Sequence, residues 1–174
     1  MTSTLVCVCG VVVLLSAGCP ALRLMPDRYC LACLCNAASN CSPRIGCQQQ
    51  RGHTVCGPFL LTADAWRRAR KADRQFAHRF RYLNYRMCAS DPECAAEAVS
   101  HALAHSASDC DRDGRITCKD FGILSRGGPA ACRNGTLARR TADSDYFRVL
   151  EGCLLDVTAM LGEPSPPAGC GLSA

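Results

Sequence analysis

Residues 30–56 decide the fold of this chain, and they read CLACLCNAASNCSPRIGCQQQRGHTVC. Six cysteines stand in this stretch at short spacings, and turn-forming pairs occur at Ser42-Pro43 and, just beyond the stretch, at Gly57-Pro58. Such a pattern indicates short elements held together by disulfides. The same region has no acidic side chain, because residues 28–63 contain neither Asp nor Glu. Both features bear on what the protein does.

The cysteine content of the whole chain bears on its compartment. The chain has 174 residues and 16 cysteines, which indicate a disulfide framework in an exported protein but metal binding in the cytosol. Leu5 to Leu15 form an uncharged apolar run of signal-peptide length, too short to span a bilayer. We therefore expect a signal peptide over residues 1–21, cleaved after Gly18 or Ala21, and a secreted, extracellular protein without a transmembrane segment.

The number of cysteines leaves one pairing open. Thirteen cysteines lie from Cys30 to Cys170, and cleavage after Gly18 would keep Cys19 as a fourteenth. With the other cleavage site one thiol is left over, and Cys170 in the C-terminal tail is the expected one. That thiol would be free or would form an intermolecular disulfide.

Hydrophobic periodicity places helices after the cysteine-dense region. We predict a helix from Asp64 onward, with a core-facing apolar stripe made of Trp66, Ala69, Phe76, Phe80, Leu83 and Met87. Ser90 and Glu93 form a capping box that predicts a second helix from Ser90. Shorter helical patterns cover residues 119–124 and 146–153. We expect one domain over residues 22–155 and a flexible Pro/Gly-rich tail over residues 156–174.

Positive charge is concentrated in the first predicted helix. The formal net charge is +5, and eight basic residues fall within residues 67–86 against one acid, Asp73. This cluster predicts binding to anionic surfaces such as bacterial envelopes, acidic glycans or anionic lipid, and a solvated helix face is the alternative. The candidate binding residues are Arg67, Arg68, Arg70, Lys71 and Arg74. We expect no nucleic-acid partner.

Three cysteine blocks occur in a specific order. They are residues 30–59, then Cys88 with Cys94, and then residues 109–132, which include Gly127-Gly128-Pro129. In this order they closely resemble the invertebrate-type (i-type) lysozymes, the destabilase family, over roughly residues 28–155. The resemblance implies a small, disulfide-rich, mainly helical α+β domain like lysozyme, with a groove between a cysteine-bound lobe and a helical lobe.

The resemblance also implies how the cysteines pair. Three short loops would be closed by the pairs Cys35–Cys41, Cys47–Cys56 and Cys88–Cys94. The other cysteines would form longer bridges with open pairing: Cys30, Cys33, Cys110, Cys118, Cys132 and Cys153.

Active members of the resembled family cleave the β-1,4 bond of peptidoglycan with two carboxyl groups. The resemblance places these acids three residues after Cys35 and Cys47, where Ala38 and Gln50 stand. Glycoside cleavage needs an acid for the leaving oxygen and a carboxylate for the sugar cation, so neither residue can replace the lost group. The nearest acid is Asp64, which we interpret as a stabilising acid at a helix N-terminus.

Some relatives are also credited with isopeptidase activity. The histidine that this activity needs falls at Ser125 in this chain. We therefore expect no catalytic residue of either kind.

Weaker patterns concern a metal and a glycan attachment. The acidic positions of a calcium-binding EF-hand loop are matched by Asp109, Asp111, Asp113 and Asp120. Cysteines at positions 110 and 118 lie inside this loop and would restrict its wrapping, so calcium is a weak candidate. Asn134-Gly135-Thr136 is a glycosylation sequon. We expect no cofactor.

These observations predict a secreted i-type lysozyme homologue without catalytic activity. It would bind bacterial cell-wall glycan or another anionic polymer, in innate defence or digestion. One alternative is an active lysozyme, a peptidoglycan glycoside hydrolase that uses non-standard groups. The other is a structural or matrix protein that reuses the scaffold. Cell-wall clearing would identify the enzyme, and retained chitooligosaccharide binding would distinguish the binding protein from the structural one.

Overall fold

The computed structural model describes residues 24–161, which form eight helices and one small sheet. The helices are α1 Arg28–Ser39, α2 Ala63–Ala72, α3 Arg74–Arg79, α4 Tyr85–Ser90, α5 Pro92–Ser106, α6 Cys118–Arg133, α7 Gly135–Ala142 and α8 Asp145–Leu161. The strands are β1 Cys47–Gln50, β2 His53–Cys56 and β3 Leu61–Thr62. The predicted class, a mainly helical α+β domain, is confirmed. The predicted signal peptide, Cys19 and Cys170 lie outside the described residues.

The sheet is an antiparallel meander in the order β1-β2-β3. A two-residue turn joins β1 to β2, and Arg51 and Gly52 in it both have positive φ, 50° and 79°, as a type I′ hairpin requires. The next turn begins at Gly57, where a Cβ would lie 1.6 Å from the backbone oxygen of Ala89. Glycine at this position therefore allows the sheet to pack against α4.

Disulfides fix the helices and strands to one another. The long bridges attach α1 to α6 and α8, and the loop before α6 to the end of that helix: they are Cys30–Cys118, Cys33–Cys153 and Cys110–Cys132. The short bridges are Cys35–Cys41, Cys47–Cys56 and Cys88–Cys94, the pairs that the resemblance implied. Each disulfide typically contributes about 2–4 kcal/mol, mainly by restricting the unfolded chain.

The core lies between the helices that these bridges connect. α1 packs on α8, and α2 packs on α5. The largest fully buried apolar side chains are Leu34, Phe76, Ile123 and Leu150. Burying a side chain of this size stabilises the fold by about 1.5–3 kcal/mol. None of the described helices is long and apolar enough to cross a membrane.

The basic segment forms three helices, so the single helix predicted from Asp64 is wrong. Asp73 ends α2 and begins α3, because its carboxylate accepts the backbone N–H of Phe76 at 2.8 Å. Ala69 and Phe76 are buried as predicted. Met87 is 50% exposed, because the helix breaks interrupt the stripe before it reaches α4.

The helix predicted from Ser90 has its N-cap one residue later. Asp91 is the N-cap of α5 and accepts the backbone N–H of Cys94 at 2.8 Å, and Pro92 occupies the first helical position. Ser90 instead ends α4. Asp and Ser cap helices about equally well, and the position next to proline favours Asp91.

The C-terminal third is more helical than predicted. Gly128, with φ 70° and ψ 178°, interrupts α6 where the helical pattern was expected to stop, but the helix resumes after it. α7 was not predicted at all. α8 continues to Leu161, so residues 156–161 are helical rather than part of a tail.

Candidate functional site

A cleft of about 340 Å³ lies between the strand region and helices α5 and α6. Parts of β2, β3 and α2 line it on the strand side, and residues 99–106 and 124–130 line it on the helical side. Its ionisable side chains are His53, Asp64, Arg68 and Arg126. The cleft has the position expected for the groove between a cysteine-bound lobe and a helical lobe.

The two positions at which the resemblance places acids lie outside the lining of the cleft. Ala38 lies on α1 and is half-buried against the core. Gln50 ends β1, and its side-chain oxygen accepts a hydrogen bond from Nη1 of Arg126 at 2.7 Å. Gln50 therefore influences the cleft indirectly, through its hydrogen bond to Arg126 in the cleft wall.

Arg126 is the cleft residue with the most defined surroundings. Besides Gln50, it contacts Tyr146, whose ring centroid lies 5.6 Å from the guanidinium carbon. Burial lowers the pKa of Arg126, and the like charge of Arg51 lowers it further. Sequence analysis did not single out Arg126, although it immediately precedes the Gly-Gly-Pro run of the family pattern.

Asp64 is the single acid among the cleft-lining residues that the structure describes. It lies in the first turn of α2, the helix-terminal position predicted for it, where Thr62 is the N-cap. Its side chain is 63% exposed and forms an ion pair with Arg67. Glycoside hydrolysis needs two carboxyl groups that flank the bond, and the cleft provides only this one.

Ser125, which stands where the isopeptidase histidine would be, also lines the cleft. It is exposed, and His53 at the start of β2 is exposed as well. These two side chains add polar groups to the cleft wall.

The five basic candidates do not form one uniform surface. Arg67 is in the ion pair just described, and Arg70 lies over a tryptophan ring at 5.0 Å from its centroid. Arg68 is half-buried and lines the cleft. Lys71 and Arg74 are exposed. The predicted anionic-surface site thus divides into a cleft residue and a smaller exposed patch.

The acidic loop before α6 uses its carboxylates on its own backbone. Asp120 is fully buried and accepts the N–H groups of Cys110 at 2.6 Å and Thr117 at 2.7 Å. Asp109 accepts the N–H groups of residues 112–114. Desolvation acts to raise the pKa of Asp109, but these amides together hold it below its usual value.

Three of the four calcium candidates form a cluster. Side-chain oxygens of Asp109, Asp111 and Asp120 lie within 4.8 Å of one another, and Asp113 is not among them. Burial raises the pKa of Asp111, and the nearby charges of Asp120 and Asp113 also act to raise it. Backbone amides bond part of these carboxylates, and calcium binding stays a weak prediction.

Asn134 has a structural role of its own. It is exposed, and its side-chain oxygen caps α7 by accepting the N–H groups of Thr136 at 3.1 Å and Leu137 at 3.3 Å. Glycosylation at this sequon stays a prediction.

The fold is similar to solved lysozyme structures. An inhibitor-bound lysozyme from Meretrix lusoria matches with a TM-score of 0.54 and 21% identity, covering 79% of this chain and 95% of that chain. Tapes japonica lysozyme matches with a TM-score of 0.51 at the same identity and coverage. A complex of Meretrix lusoria lysozyme with Aeromonas hydrophila PliI gives 0.53, again with 21% identity and the same coverage. These likenesses define a protein with a lysozyme fold.

The family follows from the sequence. The family model described as Destabilase matches residues 27–153. The chain therefore belongs to the destabilase family, and the predicted resemblance is confirmed. A comparison with curated proteins gives no match.

Proposed function

We propose that this protein is a secreted, non-catalytic, glycan-binding member of the destabilase family. The observation behind the proposal is the charge of the cleft. Among its described lining residues the one carboxylate is Asp64, and its charge is offset by Arg67. A glycosidase needs one carboxyl group as acid and a second as nucleophile or base.

The residues at positions 38 and 50 also support a non-catalytic function. Ala38 has no group that transfers a proton. Gln50 is neutral, and its oxygen is bonded to Arg126. Losing both carboxyl groups removes the main source of a rate enhancement that for a whole enzyme totals at least about 8 kcal/mol of barrier.

A binding function accounts for the parts that are kept. The cleft volume, about 340 Å³, falls within the range of small-ligand sites. Its walls combine apolar side chains, such as Phe59, with hydroxyl and guanidinium groups that can bond a sugar. The disulfides of the described residues form in oxidising compartments, which supports secretion.

One observation favours the enzyme alternative. Asp64 lines the cleft, so a muramidase with a single carboxylate would use this residue. The structural or matrix alternative has no specific contact in its favour.

The deciding experiment measures clearing of Gram-positive cell walls beside an active i-type lysozyme. We expect a rate at least about a thousandfold below the active enzyme. Clearing within a few hundredfold of the active enzyme, abolished by Asp64→Asn, would establish the enzyme instead. Calorimetry with neutral and acidic oligosaccharides then tests binding. If no saccharide binds, the structural alternative replaces the proposal.

A further inference from the structure

We propose that the cleft selects an acidic saccharide, with Arg68 and Arg126 as the cations that receive its carboxylate or sulfate group. This inference rests on the proposed function and names the ligand class for the same cleft. It would make the protein a receptor for anionic glycans rather than for neutral chitin-like chains.

The first support is the charge of the cleft wall. Arg68 comes from α2 and Arg126 from α6, so the two cations reach the cleft from different helices. Asp64, the acid of the lining, already has a cation of its own in Arg67. The cleft therefore keeps a positive charge that a neutral sugar would not use.

The second support is that these two cations lack a counter-charge. Over residues 24–161, neither Arg68 nor Arg126 lies within ion-pair distance of a carboxylate. The buried Nε of each guanidinium has no hydrogen-bond acceptor in this described part of the chain. A half-buried cation without a counter-charge is unfavourable, and a bound anion would relieve that cost. The lowered pKa of Arg126, caused first by burial, agrees with this environment.

The third support is the chemistry of Gln50. Its amide oxygen orients Arg126 through a 2.7 Å hydrogen bond, and the Tyr146 ring supports the same guanidinium. Because an amide is neutral, this contact leaves the charge of Arg126 available. A carboxylate at position 50 would form an ion pair with Arg126 and cancel that charge. The substitution that removes a catalytic acid thus also creates a usable cation.

Guanidinium groups suit this ligand class. Their planar fork matches both carboxylate and sulfate oxygens, with which it forms paired, charge-assisted hydrogen bonds. Three oligosaccharide probes distinguish a carboxylate from a sulfate as the anionic group. A hyaluronan hexasaccharide supplies carboxylates, a heparin-derived hexasaccharide adds sulfates, and chitohexaose is neutral.

The test is calorimetry on the full secreted chain with these three probes. We expect at least one acidic probe to bind about tenfold or more tightly than chitohexaose. Arg68→Gln and Arg126→Gln should each weaken acidic-probe binding about tenfold and weaken chitohexaose binding by a smaller factor, so that the preference for the acidic probe falls. Arg139→Gln, an exposed arginine on α7 outside the cleft, is the matched control and should leave the binding of all three probes unchanged.

Gln50→Asp gives a second test that keeps both arginines. It should weaken acidic-probe binding while circular dichroism stays native, even if an arginine variant fails to fold. Equal affinity for chitohexaose and the acidic probes would overturn the inference but leave the proposed function intact. Equal losses in Arg139→Gln and Arg126→Gln would also overturn it, since net charge would then explain the binding. Absence of binding to all three probes would overturn both.

Discussion

The cysteine-bound region over residues 28–62 and the loop over residues 109–120 use carboxylates in opposite ways. The first region has none, even at the two positions where relatives of this family place catalytic acids. The second has four, and Asp109 and Asp120 in it accept backbone N–H groups. Under the proposed function, acids are kept where they stabilise the backbone and are absent where the resemblance places the residues of hydrolysis.

The two regions differ in the groups that an acidic side chain would contact. Alanine is the best helix former, so Ala38 fits α1 at no cost in helix propensity. Gln50 keeps a hydrogen bond to Arg126 without a charge. In the loop, Asp120 is fully buried and also accepts the Thr117 hydroxyl within the capping box of α6. No neutral side chain can accept that set of donors equally well.

The largest expected effect is the loss of stability in Asp120→Ala. This change leaves the buried N–H group of Cys110 and the part-buried N–H group of Thr117 without acceptors, and each such buried group costs up to about 1–3 kcal/mol. We expect the free energy of unfolding to fall by about 3 kcal/mol or more, as measured by denaturant unfolding with the disulfides intact. The control is Asp113→Ala in the same loop, which is exposed and should cost less than about 1 kcal/mol.

If the acidic loop instead bound calcium, its stability would depend on the calcium concentration. Millimolar calcium would then raise the melting temperature of the parent, and a chelator would lower it. We expect neither, since the loop oxygens accept backbone amides. A clear calcium stabilisation that disappears in Asp120→Ala would show that the acids of this loop hold a metal.

The next-largest effect concerns Tyr146, whose ring supports the guanidinium group of Arg126. Burial raises the pKa of Tyr146 to about 12, against a usual value of 10, despite the opposing influence of Ser125 and Arg126. The folded state therefore keeps a proton that the unfolded chain releases, so stability is full below pH 10 and is lost as the pH rises toward 12. We expect the parent to lose up to about 2–3 kcal/mol more than Tyr146→Phe over this window.

Brief alkaline unfolding measurements on both proteins would test this difference. The pH dependence of the phenol absorbance provides a direct readout of the titration. A Tyr146 pKa near 10 would mean that the ring ionises beside Arg126 easily. The interior beside Arg126 would then tolerate an anion, and its contrast with the acidic loop would be weaker.

A smaller effect is expected when the missing acids are restored. Ala38 is half-buried and Gln50 already bonds Arg126, so Ala38→Glu with Gln50→Asp should lower stability by no more than about 1–1.5 kcal/mol. Each single variant is a control for the pair. Any gain of cell-wall clearing in the double variant would show that positions 38 and 50 keep a catalytic geometry. A loss above about 3 kcal/mol would show instead that this scaffold no longer accepts acids there.

The sequence predicted the framework better than it predicted the cleft. Cysteine spacing identified the family and the fold class, because short disulfide loops such as Cys47–Cys56 depend on local sequence. Helix boundaries were less accurate, because Asp73 ends one helix and begins another, and a single residue in two capping roles leaves the apolar periodicity almost unchanged. Asp91 was missed for a related reason, since Ser90 beside it is an equally good cap.

The cleft cations needed the tertiary structure. Arg68 belongs to a run of basic residues and looks like its neighbours, yet it alone among the five basic candidates lines the cleft. Arg126 and Gln50 lie 76 positions apart, and no local pattern connects them. Contacts of this kind depend on how α6 is placed by its disulfides to Cys30 and Cys110.

The smallest expected effect is that of the exposed basic patch. Lys71→Gln with Arg74→Gln should change the free energy of unfolding by less than about 0.5 kcal/mol, because exposed charges contribute little stability. Binding to vesicles rich in anionic lipid should fall several-fold, and it should weaken for the parent as salt rises above physiological strength, where the Debye length is about 8 Å.

A matched pair on α7, Arg139→Gln with Arg140→Gln, removes the same charge from a different exposed surface. Equal losses in the two variants would mean that net charge alone attracts the protein to envelopes. A loss confined to Lys71 and Arg74 would establish a defined surface on α2 and α3, separate from Arg68 in the cleft. An unchanged affinity in both variants would mean that the basic segment only keeps the surface solvated. The cationic cleft would then be the remaining anion-recognising feature, since its charges are half-buried and less screened by salt.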